Sequence, residues 1–328
     1  MKLNISVNNK LNLLITGGAG FIGSNLVAHF INDDRINLVR VVDDLSNGYY
    51  ENIREFESNS KFEFIKGDIS DYDTCLEATK DIHKVSHQAA LGSVPRSIEN
   101  PMRSSAVNIL GTVNLLHAAV VNKVERVILA CSSSTYGDHK GLPKIEDTIG
   151  KPLSPYAVTK LCVEQMAEVF QKTYGLSYIG LRYFNIFGPK QNPNNPYAAV
   201  IPIFCKAFLE GERPIINGDG LTSRDFTYVD NAVLANELAL FTENQGAINQ
   251  IYNTACNNQI SLMEIIEMLQ EITGKPLEPI FVAERAGDVK FSKADLTKIT
   301  HLLQYQPTVH FREGLEKVLR WYDENETI

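Results

Sequence analysis

Leu13-Leu14-Ile15-Thr16-Gly17-Gly18-Ala19-Gly20-Phe21-Ile22-Gly23 runs an apolar stretch straight into glycines three residues apart and then into a helical pattern. Few folds accept such a start. A strand that ends in glycines and continues as a helix suits the first βα unit of a parallel sheet. The glycines let the backbone turn tightly and approach a pyrophosphate, and the free N–H groups of the helix N-terminus hold the anion. The same letters also describe a plain strand-turn-helix, so the reading leans on the residues downstream. Asp43 closes the next apolar stretch 20 residues after Gly23. There its carboxylate can accept from both ribose hydroxyls and repel a 2′-phosphate, which favours NAD over NADP; the plainer alternative is a turn residue in Asp43-Asp44. Gly67-Asp68-Ile69 and Gln88-Ala89-Ala90 follow the third and fourth stretches. At those sheet ends Asp68 can accept from an adenine amine and the alanines permit close contact.

Short apolar stretches then alternate with helical patterns along the chain. Strands are expected at 13–15, 38–42, 62–65, near Val85, at 126–130 and 178–183, and helices at 23–30, 73–79, 108–121 and 156–174. That alternation predicts an α/β fold with a doubly wound parallel (Rossmann) sheet covered on both faces. After Asn185, Gly188-Pro189, Pro193, Pro196 and Pro202 break regularity, a texture suited to loops that carry binding groups. A helical pattern over 229–241 and a strand over 251–254 return to the sheet; helices at 262–273 and 311–321 finish a small lobe. The 328 residues therefore divide into a Rossmann domain (1–185 plus 228–256) and a smaller mixed α/β substrate lobe (186–227 plus 257–328).

Acidic residues outnumber basic ones 39 to 31, a net charge of −8, which argues against a nucleic-acid binder that relies on counterion release. Five cysteines with no Cys-x-x-Cys read as reduced thiols. His83 and His87 are four apart, but the residues between them look like strand rather than helix, so no metal is expected. No run approaches the roughly 18 consecutive apolar residues of a membrane helix, and Asn8-Asn9-Lys10 interrupts any secretory core. The expectation is a cytoplasmic protein with no membrane partner.

Chemistry enters at Ser154-Pro155-Tyr156-Ala157-Val158-Thr159-Lys160. Ser154 suits an N-cap and Pro155 the first helical position, which puts Tyr156 and Lys160 on one helix face. An ammonium and a helix N-terminus near a phenol both favour phenolate, drawing a pKa of about 10 toward neutrality and making Tyr156 a general base. The same pair also occurs on ordinary solvated helices. The run Cys131-Ser132-Ser133-Ser134-Thr135-Tyr136-Gly137, at the end of an apolar strand, adds hydroxyls at the same sheet edge.

Together, Thr16-Gly17-x-x-Gly20-x-x-Gly23, the serine run before Tyr136-Gly137 and Tyr156-x-x-x-Lys160 resemble the extended short-chain dehydrogenase/reductase family. The resemblance spans nearly the whole chain, with Leu181-Arg182-Tyr183-Phe184-Asn185, Ser223-Arg224-Asp225-Phe226 and Arg285-Ala286-Gly287-Asp288 as later landmarks. Within the family, Gly92-Ser93-Val94-Pro95-Arg96-Ser97, residues 132–139 and Tyr197-Ala198-Ala199-Val200-Ile201-Pro202 look like the bacterial UDP-N-acetylglucosamine 4-epimerases of surface-polysaccharide synthesis. The resemblance implies NAD as cofactor and a UDP-sugar as substrate. Tyr156 would take the proton of the sugar 4-hydroxyl as the carbon-4 hydride passes to NAD, Ser132 (or Ser133 in its place) would bond that oxygen, and Lys160 would bind the nicotinamide ribose. The 4-keto sugar would then turn over and receive the hydride on its other face. By the same likeness Phe21, Ile22, Asn47, Gly48, Asn108 and Tyr183 join the cofactor site, and Asn185, Ala199, Val200 and Asn217 the nucleotide-sugar site. Arg224 and Arg285 would clamp the diphosphate and Asp288 the uridine ribose. The family also implies a homodimer through a four-helix bundle of the 108–121 and 156–174 helices. Their apolar Val113, Leu116, Val120, Val163, Met166 and Phe170 would serve equally well against the home sheet.

Family likeness alone leaves the reaction open. Related dehydratases carry Asp-Glu just after the catalytic hydroxyl and related decarboxylases a Glu in that segment, whereas this chain has Ser133-Ser134. Epimerisation fits that inventory. Seven residues after Arg285, Ser292 stands where narrow-specificity UDP-galactose 4-epimerases resemble one another in a bulky Tyr; a small residue leaves room for a 2-acetamido group. Ser292 equally suits a helix N-cap before Lys293-Ala294-Asp295. The expected pair is UDP-N-acetylglucosamine and UDP-N-acetylgalactosamine, with Ser93 and Arg96 as nearby contacts. Arg96 keeps open the acetamido uronic acid, and the UDP-glucose/UDP-galactose pair is a further alternative. A non-catalytic NAD-binding sensor would keep the glycine turn and lose the catalytic side chains, yet Ser132, Tyr156 and Lys160 are all present.

Overall fold

The computed structural model describes residues 10–284 and 290–325. Its first half alternates strand and helix: β1 (Leu11–Thr16), α1 (Phe21–Phe30), β2 (Ile36–Asp43), β3 (Phe62–Lys66), α2 (Tyr72–Thr79), β4 (Lys84–His87), α3 (Val94–Glu99), α4 (Pro101–Ser105), α5 (Gly111–Val121), β5 (Arg126–Ser132), α6 (Pro155–Tyr174) and β6 (Ser177–Tyr183). There follow β7 (Ile186–Phe187), α7 (Val200–Glu210), β8 (Ile215–Asn217), β9 (Ser223–Arg224), β10 (Thr227–Tyr228), α8 (Val229–Phe241), β11 (Gln250–Thr254), β12 (Ile260–Ser261), α9 (Leu262–Thr273), β13 (Ile280–Val282), α10 (Thr297–Leu303) and α11 (Phe311–Glu324).

Seven strands form one parallel sheet in the order β3-β2-β1-β4-β5-β6-β11. This is the doubly wound fold expected from the sequence. Chain direction across the sheet reverses between β1 and β4, which opens a crevice at the strands' C-terminal ends. Two cores cover the faces. Leu26, Val27, Phe30, Ala235 and Ala239 pack α1 and α8 on one side, and Leu115, Ala119, Val163 and Phe170 pack α5 and α6 on the other. The short pairs β7/β10, β9/β12 and β8/β13, with α7, α9 and α11, build the lobe around a third core that includes Phe204, Phe208, Ile265 and Leu315.

Helix ends follow their capping chemistry. The Ser154 side chain accepts from Ala157 N at α6, where Pro155 is the first helical residue, and Gly175 closes that helix at φ 74°. Ser261 and Glu264 form a capping box at α9.

Several elements differ from the sequence expectation. The stretch 94–105 is helical: Pro95 and Pro101 sit in first turns, capped by Ser93 and Asn100, where a missing N–H costs nothing. Pro202 likewise lies in the first turn of α7, so the loop-rich insertion contains an 11-residue helix. Helix α10 and Tyr305, placed in the lobe by a division at 257, instead bury Ile299, Leu303 and Tyr305 in the sheet's core beside α8. Of the two placements left open for the apolar residues of α5 and α6, packing on the home core holds for Val113, Leu116, Val120, Val163, Met166 and Phe170, with Val113, Val120 and Met166 half-buried. Finally, Pro101–Val121 is one continuous helical run, long and apolar enough to cross a membrane (mean hydropathy 1.4), with half of its window buried. The sequence expectation counted consecutive apolar residues, and here Arg103, Asn108, Asn114 and His117 interrupt them; Asn114 Nδ2 donates to Ile69 O and Ser70 O.

Candidate active site

A cavity of about 990 Å³ opens at the C-terminal sheet edge. Its floor is the glycine turn. Gly17 has φ +67°, and a Cβ there would stand 2.7 Å from Ala89 N and Cα; a Cβ on Gly23 would stand 2.1 Å from Gly17 O. Only glycine lets β1, α1 and the segment after β4 meet this closely. α1 starts at Gly20 with no side-chain cap and no acidic residue in its first turn, which leaves the dipole's positive end for an anion. Asp43 is buried on the same wall, accepting from Ala19 N at 3.0 Å and Leu45 N at 2.9 Å, and burial pushes its pKa up. A backbone cradle with no room for side chains, followed by a carboxylate one strand away, fits a dinucleotide with an unphosphorylated ribose.

Phe21, Ile22, Asn47, Gly48, Asp68, Ile69, Gln88, Ala89 and Ala90 also line the cavity. Arg103 crosses from α4 to bridge Asp68 at 3.1 Å and Asp44 at 3.2 Å. The sequence alone does not foreshadow that bridge, since its partners lie on three separate elements.

Ser132, Ser133, Tyr156, Lys160 and Tyr183 line the same cavity. Ser132 ends β5, where its Oγ accepts from Ser134 N at 3.2 Å and from Ser134 Oγ at 2.9 Å. Tyr156 lies in the first turn of α6 and donates its backbone N–H to Ser97 Oγ at 3.0 Å. Lys160, one turn on, donates from Nζ to Ala130 O at 2.7 Å and stands 6.0 Å from the Tyr156 ring centroid. The Tyr183 hydroxyl donates to Gln88 Oε1 at 3.2 Å and accepts from Asn236 Nδ2 at 2.7 Å.

One electrostatic expectation is reversed. Burial holds the Tyr156 pKa above the usual phenol value, and the hydrogen bond with Ser132 only partly opposes it. Lys160 is itself desolvated, its pKa drawn down to about 8. In this cleft, desolvation outweighs the ammonium and the helix terminus.

Asn185, Arg224 and Ser292 reach the cavity from the lobe side. Asn185 Nδ2 donates to Asp225 O at 2.9 Å, and Arg224 Nη1 to Ser223 O at 3.0 Å and Lys290 O at 2.9 Å. Ser292 is buried and starts no helix, since the next one, α10, begins at Thr297. Six expected residues do not line the cavity. Asn108 is buried behind it, bonded to Leu91 N, Leu91 O and Thr159 Oγ1. Ser93 caps α3, Arg96 turns to Asn47 and Tyr197, Ala199 and Val200 start α7, and Asn217 ends β8 beside Val282. Arg285 and Asp288 lie outside the described residues. The sequence reading also missed Gln191 and Lys144 on the cavity wall, and no motif marks either; Gln191 Oε1 is buried with no hydrogen-bond partner.

Residues 13–255 match the model of the NAD dependent epimerase/dehydratase family. A putative UDP-glucose 4-epimerase of Methanocaldococcus jannaschii is 35% identical over 95% of this chain and 99% of its own length. Among solved structures, a UDP-N-acetylglucosamine 4-epimerase from Methanobrevibacter ruminantium M1, in complex with UDP-N-acetylmuramic acid, is 36% identical with a TM-score of 0.91, covering 97% of this chain and 99% of that one. A UDP-glucuronic acid 4-epimerase from Bacillus cereus, in complex with UDP-glucuronic acid and NAD, is 34% identical with a TM-score of 0.89, covering 96% and 100%.

Proposed function

The chain belongs to the NAD dependent epimerase/dehydratase family, and on that premise we propose that it inverts carbon 4 of a UDP-N-acetylhexosamine, interconverting UDP-N-acetylglucosamine and UDP-N-acetylgalactosamine. NAD-dependent UDP-sugar 4-epimerisation is the reaction class; the acetamido sugar is the finer step. The observation that carries it is the meeting of Ser132, Tyr156 and Lys160 with the glycine turn and Asp43 in one cleft.

When bound, NAD supplies the acceptor for the carbon-4 hydride and returns it. To take the proton of the 4-hydroxyl and give it back to the same oxygen, Tyr156 must act as phenolate against the burial that raises its pKa, and such general acid–base work is worth typically ~10²–10⁴-fold. Ser132 already accepts two hydrogen bonds from Ser134, so its own proton is free to be donated, to the phenolate or to the sugar oxygen. Lys160 spends one N–H on Ala130 O and keeps two for ribose hydroxyls. Arg224 and Arg285 are assigned to the diphosphate, Asp288 to the uridine ribose and Asn185 to the nucleotide-sugar.

Ser133-Ser134 offers no carboxylate after Ser132 to expel a hydroxyl, which supports epimerisation over dehydration. The small Ser292 on the cleft wall supports room for a 2-acetamido group. Arg96, the reason for weighing a uronic acid, has its guanidinium on Asn47 and Tyr197. Surface-polysaccharide synthesis in the cytoplasm, by a homodimer, completes the proposal.

NMR product analysis across a panel of UDP-sugars tests it. The acetylated pair should turn over faster than the UDP-glucose pair, and Ser292→Tyr should slow the acetylated pair selectively, by roughly tenfold or more. Equal rates on all sugars would remove the acetamido argument. Tyr156→Phe should abolish turnover; full activity in that variant would overturn the catalytic role given to Tyr156, and a wild type that binds NAD but turns over no UDP-sugar would leave only an NAD-binding sensor.

A further inference from the structure

Three segments far apart in sequence meet at the mouth of the cofactor cleft. The loop 44–49 lies on the glycine turn: Tyr49 N donates to Ala19 O at 3.0 Å, and a Cβ on Gly48 would stand 2.8 Å from the Ala19 carbonyl carbon and 2.9 Å from Gly20 N. α3 gives Val94, Pro95, Ile98 and Glu99 to the cavity wall. From the lobe, residues 190–197 run across both. Lys190 Nζ donates to Asn52 O at 2.7 Å, Asn192 Nδ2 to the Tyr49 hydroxyl at 2.7 Å, and Asn195 Nδ2 to Asn47 Oδ1 at 3.3 Å. Arg96 completes the junction. Its Nη2 donates to the same Asn47 Oδ1 at 3.0 Å, and its guanidinium stacks 4.9 Å from the centroid of Tyr197, whose hydroxyl donates to Glu99.

Asn47 lines the cavity, whereas Arg96, Asn195 and Tyr197 do not. The fastening is therefore outside the cleft, and the loop it fastens is inside, resting on the backbone that cradles the pyrophosphate. These contacts join polar side chains near the surface, each weak alone, so the junction can part while the three cores stay packed.

We propose that residues 190–197 are a strap over the cofactor cleft, latched by Arg96 and Tyr197, whose opening sets the rate of NAD release. Arg96 is thus a positioning residue for the cofactor loop. The inference rests on the NAD-dependent reading above, and the chemistry suits it: epimerisation restores NAD within each turnover, so no step of the cycle requires the strap to open.

The experiment loads purified protein with radiolabelled NAD and follows its loss into excess unlabelled NAD. Arg96→Ala and Tyr197→Ala, on different segments, should each raise the dissociation rate about tenfold or more. The double variant should add little to the larger single effect, because both break one stack. Arg96→Lys, which keeps the charge and loses the planar guanidinium, should fall between. Release as slow as wild type in both single variants overturns the strap; a rise confined to the UDP-sugar KM makes Arg96 a substrate contact instead. A wild type that retains NAD but epimerises no UDP-sugar defeats the functional reading and still reports on the strap through release.

Discussion

His87 shows how much one buried side chain can fix. Thr112 Oγ1 donates to Asn108 O at 2.7 Å, so at 2.9 Å it must accept from His87 Nε2. Nδ1 is then an acceptor, 2.7 Å from Thr16 Oγ1, which in turn accepts from Ala89 N at 3.1 Å. The donors run one way and hold a neutral imidazole between Thr16 at the end of β1 and Thr112 of α5. Burial, with the Lys160 ammonium adding to it, pushes the His87 pKa down to about 3. An unfolded chain protonates this histidine near 6.5, so between those pH values the unfolded state holds the extra proton. The stabilisation is complete above pH 6.5 and is lost as pH falls toward about 3, by at most roughly 4–5 kcal/mol. His87→Gln, whatever its own cost at pH 7, should flatten that limb in urea unfolding measured across pH; an unchanged slope would assign the acid sensitivity elsewhere. The sequence reads the stretch from His83 to His87 as strand rather than helix, and β4 (Lys84–His87) is that strand. It hides the relay because Thr16 and Thr112 lie 71 and 25 residues away. The direction of the Tyr156 shift was hidden for the same reason, since desolvation depends on which elements close over the phenol.

At the scale of elements, α6 was legible because its signals are local: an N-cap serine, a first-turn proline, an apolar period and a closing glycine. What aligns it on the sheet was not. Tyr156, Lys160 and Glu164 recur every four residues, and Glu164 meets Arg182 of β6 at 2.9 and 2.8 Å with both side chains buried. Arg182 Nη1 also donates to Glu146 O at 2.9 Å, and the guanidinium stands 4.8 Å from the Tyr136 centroid. A buried pair of this kind gives geometry more surely than stability. Glu164→Ala alone strands the guanidinium and should cost about 3–5 kcal/mol, whereas Glu164→Leu combined with Arg182→Met should cost far less. A double-mutant cycle by urea denaturation reads the difference, and additive losses would show that the two side chains act separately. Prolines explain the elements that were missed. Pro202 reads as a break and no element was expected over 94–105, yet Pro95, Pro101 and Pro202 all lie in first turns, where proline is compatible with the helix it begins.

For the whole molecule, alternating periodicity was enough to show a doubly wound sheet, but not where every late segment returns. Ile299, Leu303 and Tyr305 would suit any core by pattern; tertiary packing alone puts them under the sheet. The outer face poses the same question between chains. With Val113, Leu116, Val120, Val163, Met166 and Phe170 all committed inward, a two-chain bundle must use the other side of these helices. That side is apolar as well: Met102, Leu110 and Val121 on the 101–121 run and Val158 and Val169 on α6 are each 46% to 74% exposed. α4 and α5 both pack against α6, so the two stripes are neighbours. A second copy of the chain, presenting the same stripes about a twofold axis, would bury them; a stable dimer covers roughly 800 Å² per partner. Sedimentation equilibrium should give a dimer at micromolar concentration, and Val121→Glu with Val169→Glu should give a monomer, because each copy would then bury unpaired carboxylates at the join. A wild-type monomer would mean that the stripes stay open to solvent and that the cleft, strap included, is complete within one chain.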